Sequence, residues 1–113
     1  MEKIEILKGL KLHDTPIDNI SFVSKENRIN FLISIYDDEQ NAYDNFSLNF
    51  IDIEQVVSSK IDFSLFDELE ITSCSAKKIE SKYLIELNMQ TRPSEASWVL
   101  TINCKKIEIV KVG

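Results

Sequence analysis

The chain reads as an all-β, mainly antiparallel domain, a small β-sandwich or partly open barrel of about seven or eight short strands with at most one short helical turn. Three observations predict this. Several segments alternate apolar and polar residues with a period of two, which sends one set of side chains to one sheet face. Short polar turn sequences separate those segments. No stretch carries the 3.6-residue apolar period of a long amphipathic helix.

Four segments carry the alternation most clearly. Between Arg28 and Tyr36 the apolar set is Ile29, Phe31, Ile33 and Ile35, with Asn30 and Ser34 opposed and Leu32 and Tyr36 breaking the pattern. Between Asn45 and Phe50, Phe46, Leu48 and Phe50 alternate with Ser47 and Asn49. From Lys82 to Gln90 the apolar positions are Tyr83, Ile85, Leu87 and Met89. From Ala96 to Cys104 they are Ala96, Trp98, Leu100, Ile102 and Cys104, which places Trp98 in the core. Weaker strands are expected over Lys3–Leu7, Ile17–Val23, Leu69–Lys78 and Ile107–Val112. At Phe50-Ile51-Asp52-Ile53 the apolar parity switches from even to odd, so a bulge or a change of sheet is expected there, with Ile53–Ser58 as a separate short strand.

The connections fit a meander of hairpins. Ser24–Asn27, Asp37–Ala42, Ile79–Ser81 and Thr91–Glu95 are polar turns, and Pro93 keeps Arg92 out of helical geometry. Ser64–Asp67 is the place for a single helical turn capped by Ser64. With 113 residues, 43% hydrophobic and 28% charged, the chain is expected to form one domain, residues 1–113, with an ordinary globular core.

Composition excludes several chemistries. The only glycines are Gly9 and Gly113, so neither dinucleotide nor P-loop phosphate cradles can be built. The segment Met1–Leu12 mixes charge with apolar residues, unlike a signal peptide, and no window is apolar enough for a helical membrane span. A cytoplasmic location and no membrane partner are therefore expected. Cys74 and Cys104 are the only cysteines and are expected reduced and buried. With the single histidine they make no recognisable metal spacing, so neither metal nor cofactor is expected.

No catalytic set emerges, and the chain is not expected to be an enzyme. His13-Asp14 lacks the further histidines of a metal phosphohydrolase, and no serine lies in a nucleophile elbow. Both residues are assigned instead to a structural turn, with Thr15 and Pro16, ahead of the strand at Ile17. Asp37-Asp38-Glu39 is not an EF-hand loop, because its sixth and twelfth positions would be Ala42 and Leu48. Asn19-Ile20-Ser21 and Asn45-Phe46-Ser47 match the glycosylation acceptor, which has no meaning without secretion.

Charge is unevenly distributed within the net −6. Residues 1–36 balance, residues 37–70 hold ten acids against Lys60, and residues 71–113 carry a net +3. The best basic patch, Lys77, Lys78, Lys82, Lys105 and Lys106, lacks interleaved aromatic residues, so nucleic-acid binding is not expected. The acidic segment suits a basic protein partner, and Asp37, Asp38, Glu39, Asp44, Asp67, Glu68 and Glu70 are its candidate contacts.

The opening Leu12-His13-Asp14-Thr15-Pro16-Ile17-Asp18-Asn19-Ile20-Ser21-Phe22, followed by the charged turn Lys25–Arg28 and the strand Ile29–Tyr36, resembles small β-rich bacterial proteins, some of which resemble immunity proteins of polymorphic toxin systems. The resemblance covers about 35 residues. It implies a β fold and a non-enzymatic role such as toxin neutralisation, with no catalytic residues to carry over. The alternatives are a structural or self-assembling homodimer, in which the basic end of one copy meets the acidic middle of another, and a small-ligand binder with a pocket inside the sheet.

Overall fold

The computed structural model describes residues 12, 15–59, 66–93 and 97–112, with only the backbone of residues 66, 67, 92 and 93. Six strands are present among them: β1 (Thr15–Val23), β2 (Arg28–Asp37), β3 (Ala42–Ser58), β4 (Phe66–Ile79), β5 (Lys82–Pro93) and β6 (Ser97–Val112). They pair antiparallel in the order β1-β2-β3-β6-β5-β4, and β4 returns to β1 to close a barrel. The all-β reading holds, and the described strands are longer than expected; the expected strand Lys3–Leu7 lies outside the described residues. Ile53–Ser58 is continuous with β3, and Ile107–Val112 with β6, giving strands of 17 and 16 residues. Strands this long serve two sides of a small barrel by bending, and the bends are bulges.

The expected parity switch is one such bend. Phe46, Leu48 and Phe50 point inward, and Asp52 then adopts a left-handed backbone (φ 56°), after which Ile53 again packs on the core. The corner is tied by the Asp52 N–H donating to the Asn27 carbonyl (3.1 Å) and the Asn27 Nδ2 donating to the Ile53 carbonyl (2.9 Å). Asn27 is itself left-handed (φ 49°) and ends the 3-10 turn Ser24–Glu26. Of the helical turn expected at Ser64–Asp67, Ser64 and Leu65 fall outside the described residues, and Phe66 and Asp67 belong to β4.

Alternation fills the interior as the sequence requires. Ile29, Phe31 and Ile33 stand opposite Phe50, Leu48 and Phe46, and across β5–β6 Ile85, Leu87 and Met89 stand opposite Ile102, Leu100 and Trp98. Phe31 and Phe50 are fully buried and meet edge to face, with ring centroids 5.7 Å apart. Trp98 is buried, at 6% exposure, as its place on the inward set predicts. Among the described residues, Thr15–Ile71 and Pro16–Glu70 are the pairs that join β1 to β4 and close the ring.

The two cysteines occupy β4 and β6, with β5 between them. Cys74 aligns with Leu87 and Cys104 with Tyr83, positions four residues apart along β5. Two strand spacings alone place them about 10 Å apart, beyond disulfide reach. Burial raises both thiols from an ordinary 9.0 to about 11. Such a shift leaves roughly 100-fold less thiolate at pH 8, and thiolate is the reactive form. Native protein is therefore expected to react with a thiol reagent about 100-fold more slowly than urea-unfolded protein. Rapid labelling of Cys104 in the native state would contradict the barrel interior.

Candidate functional site

The β2–β3 hairpin presents the acidic segment. Its strands run in register from Arg28–Ile51 to Asp37–Ala42, and residues 38–41 form the turn. Asn41 is left-handed (φ 52°), the conformation asparagine tolerates better than most residues. Asp37 Oδ1 accepts the backbone N–H groups of Glu39 (3.0 Å) and Gln40 (3.4 Å), so this carboxylate shapes the turn. Asp38 and Glu39 are exposed at the tip.

The remaining candidate acids separate by role. Asp44 has the inward parity of Phe46 and pairs with Lys111 at 3.5 Å, closing the rim of the barrel. Glu70 lies on β4 beside Pro16 of β1, and Glu68 is exposed two residues earlier. Asp67 lies in β4, and His13 and Asp14 fall outside the described residues. Among the described side chains of the predicted set, Asp38, Glu39 and Glu68 are exposed, with Asp37 and Asp44 engaged within the fold.

The basic patch is likewise engaged. Glu54 stands at the register shift between Ile53 and Gln55 and reaches Lys82 (2.7 Å) and Lys105 (3.8 Å). Its bond to Lys82 chiefly holds the Glu54 carboxyl below the usual range, and the same bond raises Lys82. Lys106 pairs with Glu108 at 3.3 Å, and Lys78 lies over the Tyr83 ring at 5.8 Å. Lys77 lines a hollow of about 180 Å³ on the outer face with Ser75, Ala76, Leu84 and Glu86. Ligand pockets span roughly 300–1,000 Å³, so this one is small.

The outer face of β2 and β3 was not assigned a role by the sequence. Alternate residues there are Arg28, Asn30, Leu32, Ser34 and Tyr36, opposite Ile51, Asn49, Ser47, Asn45 and Tyr43. Asn30 Nδ2 donates to Ser47 Oγ (2.6 Å) and Asn49 Oδ1 (3.1 Å), and Asn49 Nδ2 donates to Ser47 Oγ (3.1 Å). Arg28 Nη1 donates to Asn49 Oδ1 (3.4 Å), and Nη2 pairs with Glu26 at 3.0 Å. Nearer the hairpin tip, the Ser34 hydroxyl lies 2.6 Å from Asp18 Oδ2 and 2.9 Å from Asn45 Oδ1. On the next outward rung Tyr36 and Tyr43 meet edge to face at 5.2 Å, and the Tyr36 hydroxyl donates to Asn41 Oδ1. Both rings are exposed, at 44% and 58%. The signal in the sequence was that Leu32 and Tyr36 fall outside the inward set.

Compared with known proteins, the chain matches no family model, and neither a curated protein nor a solved structure matches it significantly. Among the described residues no group of three or more His, Cys, Asp or Glu is placed to hold a metal ion. No helix among them is long and apolar enough to cross a membrane. The chemistry on offer is that of a surface: exposed carboxylates, neutral amide and hydroxyl groups, and an aromatic pair.

Proposed function

We propose that the protein is a non-enzymatic binding module that engages a basic protein partner, with toxin neutralisation as its concrete role. The observation that carries this reading is the β2–β3 hairpin tip, where Asp38 and Glu39 stand exposed at the end of an in-register pair of strands. Carboxylates held this way attract a cationic surface, speed encounter and repel acidic competitors. Asp37 supports them indirectly, because its bonds to Glu39 and Gln40 fix the shape of the turn. Glu68, exposed on β4, extends the acidic surface beyond β1, which carries Asp18. A partner that acts on nucleic acid is itself basic, which suits an acidic blocker of this kind.

The test uses the full chain immobilised as bait for an extract of the native host, beside the Asp38→Asn/Glu39→Gln variant. The expected result is a basic partner held by the wild type, released as salt rises, and bound at least fivefold more weakly by the variant, the scale of two rim charges. Undiminished retention of every partner by the variant would remove the tip from the interface.

A further inference from the structure

The corner formed by Asp18, Ser34 and Asn45 has more acceptors than protons to fill them. Ser34 carries one hydroxyl hydrogen, yet its oxygen lies within bonding distance of both Asp18 Oδ2 (2.6 Å) and Asn45 Oδ1 (2.9 Å). The shorter, charge-assisted bond to the carboxylate takes that hydrogen. If the Asn45 amide is turned so that its nitrogen faces Ser34, the carbonyl faces solvent instead. Either way Asp18 and Asn45 present acceptor oxygen at the exposed surface, where a partner's donor can replace water. Tyr36 and Tyr43 flank this corner on the adjacent rung, with their rings exposed.

We propose that this corner of the outer face, Asp18, Ser34 and Asn45 beneath Tyr36 and Tyr43, receives an arginine side chain of the partner. The inference rests on the reading of the protein as a binder of a basic protein. A guanidinium is flat, so it lies against an aromatic ring, and its fork of N–H donors reaches a carboxylate and an amide oxygen together. An ammonium is a point charge that stacks poorly and keeps its water. The chain's own Arg28, three outward rungs from Ser34 on the same face, already joins an amide oxygen to a carboxylate, donating to Asn49 Oδ1 while pairing with Glu26. The division of labour differs from that of the acidic tip. Asp38 and Glu39 draw the partner in, and the tyrosine corner holds it once docked.

The experiment is a two-dimensional NMR titration of the full chain with an acetylated, amidated tri-arginine peptide and its tri-lysine counterpart at low and at physiological salt. Amide shifts are expected at Asp18, Ser34, Tyr36, Tyr43 and Asn45, with the arginine peptide bound at least threefold more tightly. Tyr36→Ala/Tyr43→Ala is expected to erase that preference, and its spectrum shows directly whether it remains folded. Asp18→Asn, a smaller change, is expected to weaken the arginine peptide more than the lysine peptide. Asp38→Asn/Glu39→Gln is expected to weaken both peptides alike. Equal binding of the two peptides by the wild type, or shifts confined to residues 38–41, would overturn the proposal. Arginine preference at the corner, together with full partner retention by the neutralised tip, would uphold this site and refute the acidic tip as the steering element. Loss of the host partner on neutralising the tip, without arginine preference, would do the reverse.

Discussion

Phe31→Ala is expected to lower stability by about 3–5 kcal/mol, enough to bring a domain of ordinary stability close to unfolding at room temperature. Phe31 is fully buried on β2, opposite Leu48, and its ring meets that of Phe50 edge to face. Truncation removes the apolar transfer term and leaves a cavity whose walls belong to hydrogen-bonded strands and cannot collapse far. Urea unfolding followed by circular dichroism measures it, with Leu32→Ala as the comparison. Leu32 lies on the outer face and is only half buried, so its loss is expected to cost about 1 kcal/mol or less. Equal costs at the two neighbours would mean that the period-two sidedness of β2 is wrong.

Asn27→Ala is expected to cost about 2 kcal/mol, unusually much for an exposed turn residue. One part is conformational, since a left-handed backbone costs alanine about 1 kcal/mol more than asparagine or glycine. The other is the lost bond from Asn27 Nδ2 to the Ile53 carbonyl, worth roughly 1 kcal/mol. Asn27→Gly separates the two, because glycine keeps the backbone and loses only the side-chain bond. It should therefore destabilise by about half as much. Thermal melting of the pair reads the difference, about 10 °C for the alanine variant by the usual scaling for a domain of this size. An alanine variant as stable as the wild type would show that the corner at Asp52 holds without its tie.

The strands were readable because burial on one face writes itself into every second residue. Phe46-Ser47-Leu48-Asn49-Phe50 states its own sidedness, and the parity change at Ile51–Ile53 announced the bend at Asp52. What period alone could not give was continuity. A bulge and a strand end both interrupt alternation, so Ile53–Ser58 read as a new element although its pairing with β6 persists through one register shift. Closure was hidden for a different reason. Thr15 and Ile71 lie far apart in sequence, and nothing local marks them as neighbours.

The candidate site divides along the same line. The acidic hairpin was visible because its charges are adjacent in sequence. Their separate duties were not, because Asp44 finds its partner Lys111 across β6 and Asp37 bends back on its own turn. The corner at Ser34 joins Asp18 of β1 to Asn45 of β3, and only register assembles it. Leu32 and Tyr36, on either side of Ser34, were the departures that pointed there.

The seam between β1 and β4 sets the order in which the molecule comes together. Hairpins such as β2–β3 and β4–β5 join residues close in the chain, whereas Thr15 and Pro16 must find Ile71 and Glu70 across more than fifty intervening residues. Pro16 brings no amide hydrogen to that contact. The ring is thus a ribbon latched at its ends, and a latch of so few described pairs is expected to open more readily than the long β3–β6 seam.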